Sequence, residues 1–130
     1  MILIPSVELQ KAIIKTLSPH HKVVSVKSDD VTFPFVEIGS EIERDGGTKT
    51  HNRSYHHLTI HTWTKSNSPL DSKTLNHSVK HKIMNLQTVE GFYLDFVKLS
   101  SVMTMTETEA DTTIWHGILQ FEIEMTKKEG

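Results

Sequence analysis

The sequence predicts a single α+β domain, with a mostly antiparallel four-stranded sheet and two helices packed on one face, in the order α-β-β-α-β-β. Three observations support this fold class. The chain of 130 residues has the length of one domain, so residues 1–130 are assigned to one unit. Two segments place apolar residues at helical spacing, and four segments are rich in β-branched and aromatic residues.

The first helix is predicted to begin at Pro5, because proline is tolerated in the first helical turn and the Ser6 hydroxyl can accept a free backbone N–H. It should end near Ser18, before Pro19. The residues that fall on one apolar stripe are Leu9, Ile13, Ile14 and Leu17.

The first strand is predicted over residues 35–41, after an apolar run that contains Pro34 and therefore suits an edge strand. Residues 42–53 combine paired glycines with alternating charge, which predicts a long mobile loop. Residues 54–64 return as the second strand. On that strand, Leu58 and Ile60 share one face, and the opposite face carries Tyr55, His57, Thr59, His61 and Trp63.

The second helix has the clearest start signal in the chain. Ser68 is placed to cap it, Pro69 suits the first helical position, and the Asp71 carboxylate is favoured in the positive first turn. The helix is predicted to run to about Gln87, with one core stripe formed by Leu75, Val79, Ile83 and Leu86.

A closing hairpin is predicted from a third strand over residues 92–105, an acidic turn over 107–111 and a fourth strand over 112–126. The fourth strand alternates, with Trp115, Leu119, Phe121, Ile123 and Met125 on its core face. Apolar residues occupy both the odd and the even positions of the third strand. Both faces of the sheet therefore carry apolar side chains, and the helices cover only one face, which leaves apolar groups on the other. Either a second copy of the chain covers them, or they are ordinary scattered exposed residues.

Composition excludes several classes of protein. The 14 Lys and Arg residues against 16 Asp and Glu residues provide no basic field for a phosphate backbone. No window reaches the ~20 apolar residues of a membrane span, and the opening MILIP lacks the features of a signal peptide, so a soluble protein is expected. The sequence has no cysteine, which excludes disulfides and thiolate metal sites.

Nine histidines raise the question of a metal site, but their spacing argues against one. His56 and His57 point to opposite faces of a strand, and His57 and His61 lie ~13 Å apart on one face. His77 and His81 share a helix face but lack the intervening glutamate of a zinc motif. No metal and no cofactor are expected.

No catalytic motif is present: the sequence contains neither GxSxG nor a phosphate-binding glycine loop. The paired glycines Gly46 and Gly47 form too short a fragment to hold a phosphate. The carboxylates of Glu122 and Glu124 fall on the solvent-facing side of a strand, where a raised pKa is not expected. A non-enzymatic protein is therefore predicted, with no catalytic residue assigned.

Four segments resemble a known family: FPFVEIG at 33–39, HHLTIHTWTKS at 56–66, the capped helix, and DTTIWHGILQFEIE at 111–124. They are similar to the tail completion family of long-tailed bacteriophages, also called tail terminator or tail-to-head joining proteins. That family has a proline-containing first strand, a second strand ending in Thr or Ser followed by Trp, and a closing hairpin after an acidic turn. Thr62 and Trp63 match the dipeptide.

The resemblance implies a structural role without catalysis. Such a protein forms a ring, with six subunits as the expected number, that caps the tail tube, ends its polymerisation and offers the surface on which the filled head docks. The implied partners are further copies of the chain, the tail tube protein and a head-completion or connector protein, and DNA can pass through the ring. The implied location is the head-proximal end of the virion tail, after synthesis in the host bacterial cytoplasm.

Contacts are expected in the loop at 42–53, which the resemblance directs toward the ring lumen or an adjoining ring, and on the polar face of the second strand. The candidate contact residues are Ile42, Arg44, Asp45, Lys49, Arg53, Tyr55, His57 and His61. Two other readings stay open. The first is a head-completion adaptor or a tube subunit, and the second is a small metal-dependent or acid/base enzyme that uses His77 and His81 or the loop carboxylates.

Overall fold

The computed structural model describes residues 2–47 and 52–129. In chain order its elements are α1 (Pro5–Leu17), β1 (Val23–Val24), β2 (Phe35–Asp45), β3 (Arg53–Lys65), α2 (Pro69–Met84), β4 (Phe92–Glu109) and β5 (Thr112–Lys127). The strands form one sheet in the order β1-β2-β3-β5-β4, and β2, β3, β5 and β4 pair antiparallel. The predicted α+β class with two helices is confirmed.

The sheet has five strands and is mixed, so the prediction of four strands was wrong. The additional strand, β1, pairs in parallel with β2 through Val23 and Val24, which lie opposite Val36 and Glu37. Two residues are too few to show any alternation of apolar and polar side chains, and this is why the sequence pattern did not indicate the strand.

The predicted loop at 42–53 is also corrected, because both flanking strands are longer than expected. β2 continues to Asp45 and β3 begins at Arg53, so Ile42, Arg44, Asp45 and Arg53 belong to strands. The register shifts between Ile38 and Glu41, and pairing then resumes through the charged stretch. Only residues 46–52 separate the two strands.

The closing hairpin is tighter than the sequence indicated. β4 runs to Glu109, and Glu107 and Glu109 pair with Ile114 and Thr112, so the acidic turn predicted over 107–111 shrinks to two residues. The first of these, Ala110, has a positive φ of 54°. An alanine in this conformation is uncommon, and the sequence contains no glycine or asparagine there to signal the turn.

The helices differ in how they begin. Ser68 caps α2 as predicted, and its Oγ accepts a hydrogen bond from the Leu70 backbone N–H at 3.2 Å. In contrast, α1 follows Ile4 without a side-chain cap, so the capping role given to Ser6 was wrong. The α2 helix ends at Met84, before the predicted Gln87. No helix among the described residues is long and apolar enough to cross a bilayer.

The main core lies between the two helices and one face of the sheet. The stripes predicted on both helices are confirmed, except that Ile14 and Leu86 are half-buried at its margin. The fully buried residues of this core include Leu9, Ile13, Val79, Ile83, Ile60, Leu119, Phe121, Ile123 and Met125. The alternation predicted for the last strand is confirmed from Leu119 to Met125.

A buried polar contact fixes α2 to the sheet. The Thr62 hydroxyl on β3 donates a hydrogen bond to Asn76 Oδ1 on α2, and Asn76 Nδ2 lies 3.4 Å from Thr104 Oγ1 on β4. Gly117 of β5 lies between these strands, opposite both Thr62 and Thr104. Its missing side chain provides the space into which the Asn76 amide reaches.

Candidate interaction surface

The sheet face that lies away from the helices, called the outer face below, gathers most of the predicted contact residues. Residues directly opposite one another on neighbouring strands share a face, so the register assigns each side chain. The outer face comprises Ile42, Arg44, Tyr55, His57, Thr59, His61, Phe96, Lys98, Met103, Met105, His116, Ile118, Gln120, Glu122 and Glu124.

The structure brings the predicted residues Ile42, Arg44, Tyr55, His57 and His61 together on this face. Ile42 lies opposite His57, and Arg44 lies opposite Tyr55. The half-buried His57 ring is held by Gln120 Oε1, which lies 2.5 Å from its Nε2.

The remaining three predicted residues differ from one another. Arg53 lies on the same sheet face as Tyr55, and its Nη1 lies 3.9 Å from Glu124 Oε1. Asp45 lies on the opposite, helix-side face of the sheet, and its Oδ1 accepts a hydrogen bond from the Gly47 backbone N–H at 2.9 Å. Lys49 lies outside the described residues.

Large apolar side chains remain uncovered on the outer face. Ile42 is 54% exposed, Met103 57%, Met105 49% and Phe96 38%. Phe96 keeps only an edge contact with the Tyr55 ring, with the ring centroids 6.0 Å apart. Exposed apolar groups on one face of a sheet are typical of an association surface.

β4 is the edge strand beside these residues, and its backbone is open to pairing. Its register irregularities lie between Leu94 and Phe96 and between Leu99 and Ser101, in its first half. From residue 99 to 106 the strand carries no charge and no proline, the two devices that commonly prevent edge pairing. From Val102 to Thr106, β4 is therefore a regular edge without either device.

A cluster of aromatic rings and histidines lies farther along the outer face. His61 Nδ1 is 2.7 Å from His116 Nε2, and the His116 ring stacks on Trp63 at 3.8 Å between centroids. Trp63 Nε1 donates a hydrogen bond to Glu37 Oε1 at 3.0 Å, and Lys27 Nζ lies 4.0 Å from the Trp63 ring centroid. The sequence does not indicate this cluster, because His61 and His116 meet only through the strand register.

Burial lowers the pKa of His116, and the neighbouring His61 and Lys27 lower it further, against the opposing effect of Glu107 and Glu37. The lowered pKa favours a neutral His116 imidazole, which shares one hydrogen bond with His61. Burial also raises the pKa of Tyr55, and the carboxylate of Glu122 acts in the same direction.

We expect acid to destabilise the fold through His116. Its folded pKa lies below the ordinary value of 6.5, so the unfolded chain binds the proton first and stability falls as the pH drops through 6.5. The variant His116→Gln should lose less stability over this range. Urea unfolding between pH 8 and pH 5 measures the difference, with the exposed helix variant His77→Gln as control. Identical pH dependence in wild type and His116→Gln would contradict the assignment.

One end of the outer face is covered by the chain itself. Phe35, Trp63 and Ile114 form a second small core, against which Val24, Val31 and Phe33 pack. Beside this cluster an open groove of about 1060 Å³ runs between residues 27–35, the first half of α2 and the tip of the β4–β5 hairpin.

A buried network on the opposite, helix-side face joins β2 to β3. His56 is fully buried, its Nδ1 lies 2.6 Å from Glu41 Oε2, and its Nε2 lies 2.8 Å from Ser54 Oγ. The order serine, histidine, carboxylate is that of a hydrolytic triad. However, Ser54 is only 8% exposed and pairs with the fully buried Met125, so its hydroxyl is enclosed by the core and not presented to a substrate.

Comparison with known proteins identifies the fold. No family model and no curated protein matches the sequence. A chain from the virion of a native gene transfer agent (GTA) particle has a similar structure, with a TM-score of 0.70 over 89% of this chain and 94% of that chain. The two chains are 16% identical in sequence, so the likeness establishes a shared fold.

Proposed function

We propose that this chain is a structural protein of a phage-like virion and that it forms a ring which terminates the tail. Two findings support the proposal. The fold is that of a chain from a GTA virion and extends over nearly all of both chains. The outer face exposes apolar residues beside an open strand edge, as expected of a subunit that functions in contact with others. The exposed apolar residues are the observation that carries the proposal.

A closed ring fits the demands of this role. A terminator must recognise one open end of a tube and present a different surface on its far side, which a ring of head-to-tail contacts provides. In the proposed arrangement copies of the chain meet through the outer face and the β4 edge. The tail tube protein binds one side of the ring, the head-completion or connector protein binds the other, and DNA passes through the lumen at the head-proximal end of the tail.

The candidate contact residues divide into two groups. Ile42, Arg44, Tyr55, His57 and His61 lie on the outer face and suit contacts between neighbouring copies. The second group is assigned to contact with an adjoining ring. It consists of Asp45 and Arg53, which flank the β2–β3 connection, and of Lys49, which falls between them in the sequence. Charged groups at such a connection favour recognition of a charged partner surface.

The proposal is tested by measuring the solution mass of the chain and imaging it by electron microscopy, alone and mixed with purified tail tubes. Annuli, or caps at one end of each tube, are the expected result. Long fibres formed by the chain alone would identify a tube subunit instead. A monomer that ignores both tubes and head connectors would overturn the virion assignment.

A charge placed among the exposed apolar residues should prevent assembly. The double variant Met103→Glu, Met105→Glu introduces two carboxylates where a neighbour would exclude water, and burying unpaired charge costs several kcal/mol. We expect assembly to weaken at least about 100-fold with the monomer still folded. Leu70→Glu is the matched control, since Leu70 is 67% exposed on α2, away from the outer face. Equal assembly of the two variants, measured by sedimentation, would exclude β4 from the contact.

A further inference from the structure

We propose that Glu41, Glu43 and His56 form a binding site for a divalent transition-metal ion, with Zn²⁺ as the best match, on the helix-side face of the β2–β3 hairpin. The backbone places all three side chains on one face. Glu41 and Glu43 are two residues apart on β2, and His56 lies directly opposite Glu43 on β3. One ligand atom from each residue lies within 4.8 Å of the other two.

The imidazole is oriented for metal binding by a group outside the ligand set. Ser54 Oγ lies 2.8 Å from His56 Nε2 and can accept its N–H, which directs Nδ1 toward the two carboxylates. A histidine that binds a metal usually donates its other N–H to such a partner, which fixes the tautomer and the ring plane. The ring is also immobilised by complete burial.

The spacing of the ligand atoms suits a metal ion. His56 Nδ1 lies 2.6 Å from Glu41 Oε2 and 3.8 Å from Glu43 Oε1. Zinc binds nitrogen and oxygen at about 2.0–2.2 Å, so two ligand atoms on one ion lie roughly 2.9–3.4 Å apart. This separation falls between the two observed distances, and side-chain shifts of a few tenths of an ångström bring both carboxylates to it.

Access and charge also favour a cation. The side chains of Glu41 and Glu43 are 19% and 46% exposed, so an ion can enter from the carboxylate side, although His56 is buried. The two carboxylates lie beside the imidazole and favour a cation there. The set of one nitrogen and two oxygens suits zinc and neighbouring transition metals better than Mg²⁺ or Ca²⁺, which prefer oxygen ligands alone.

Metal binding would replace an existing contact. Without a metal, the separation of 2.6 Å between His56 Nδ1 and Glu41 Oε2 is that of a hydrogen bond. An ion bound to both atoms takes the place of that hydrogen bond.

The test is a Zn²⁺ titration by calorimetry, using the full chain prepared without a histidine tag and cleared of metal with a chelator. The His77 and His81 rings, 6.3 Å apart on α2, could bind zinc independently, so all proteins carry His77→Ala and His81→Ala. We expect one Zn²⁺ per chain and a raised melting temperature.

The variant Glu41→Gln, Glu43→Gln preserves side-chain shape and should weaken zinc binding at least about 100-fold, since outer-shell partners alone contribute 10- to 100-fold. Its matched control is Glu122→Gln, Glu124→Gln. That pair has the same spacing on β5, with His57 opposite Glu122, but the His57 ring is engaged by Gln120. The control should bind zinc like the parent.

Circular dichroism of each variant confirms that it is folded before titration. Two results would overturn the proposal. One is a parent protein that takes up no zinc at 100 μM, and the other is equal zinc affinity in the two glutamine variants. His56→Ala is unsuitable as the main test, since it leaves a cavity in the sheet.

Discussion

Replacing Phe121 by alanine is expected to lower the free energy of unfolding by about 3–5 kcal/mol, the usual cost of deleting a fully buried phenylalanine ring. Phe121 has no exposed surface and lies on β5 between Leu58 of β3 and Leu99 of β4. Its ring therefore joins the three neighbouring strands beneath the helices. The loss is comparable to the total stability of many small domains, so the variant will be largely unfolded or close to it.

Phe96→Ala is the matched control, because it deletes the same ring from the exposed outer face. Phe96 is 38% exposed and contacts Tyr55 edge-on, so its removal should cost about 0.5–1.5 kcal/mol. Urea unfolding followed by tryptophan fluorescence measures both variants. If Phe96→Ala proves as destabilising as Phe121→Ala, the assignment of the two sheet faces is wrong.

Gly117→Ala is expected to destabilise the fold by about 2–4 kcal/mol, although it adds a single methyl group. A side chain at this position would overlap Thr62 Oγ1 and Asn76 Oδ1. The overlap would push α2 from the sheet or break the buried hydrogen bond between Thr62 and Asn76, and either response leaves polar groups without partners.

The control for this substitution is Gly46→Ala, in the short connection after β2. Among the described residues, an added Cβ there meets only the Arg53 Cβ, at 3.9 Å, an ordinary contact. Thermal unfolding of the two variants should differ by several degrees in Tm. A Gly117→Ala protein as stable as Gly46→Ala would show that the Asn76 amide does not occupy the space above Gly117.

The sequence predicted the elements whose signals are local. The Ser68 cap, the core stripe of α2 and the alternation of β5 each depend on neighbours within a few residues, and all three are present. The predictions of secondary structure were wrong where pairing with another strand determines the conformation. Residues 42–45 carry alternating charge, yet they remain in β2 because β3 supplies backbone partners. The two-residue strand β1 exists only through its pairing with β2.

In the candidate sites too, features local to one strand were predicted and contacts between strands were not. Alternation placed His57 and His61 on one face of β3 and His56 on the other, and the structure agrees. The alternation of side chains along one strand does not show which residue of the next strand lies opposite. The contacts of His61 with His116 and of His56 with Glu41 were therefore not predicted. The contact of His56 with Glu41 depends on the register of β2 with β3, which includes the bulge between Ile38 and Glu41. The contact of His61 with His116 depends on the register of β3 with β5.

The position of β5 in the sheet has a consequence for synthesis of the protein. Among the described strands, β5 comes last in the sequence, yet it lies between β3 and β4 and is the only one that pairs with β4. While the ribosome is still making β5, the nascent β4 has nowhere to pair and the core lacks Phe121 and Ile123. A prematurely terminated polypeptide that lacks β5 therefore cannot present a finished β4 edge.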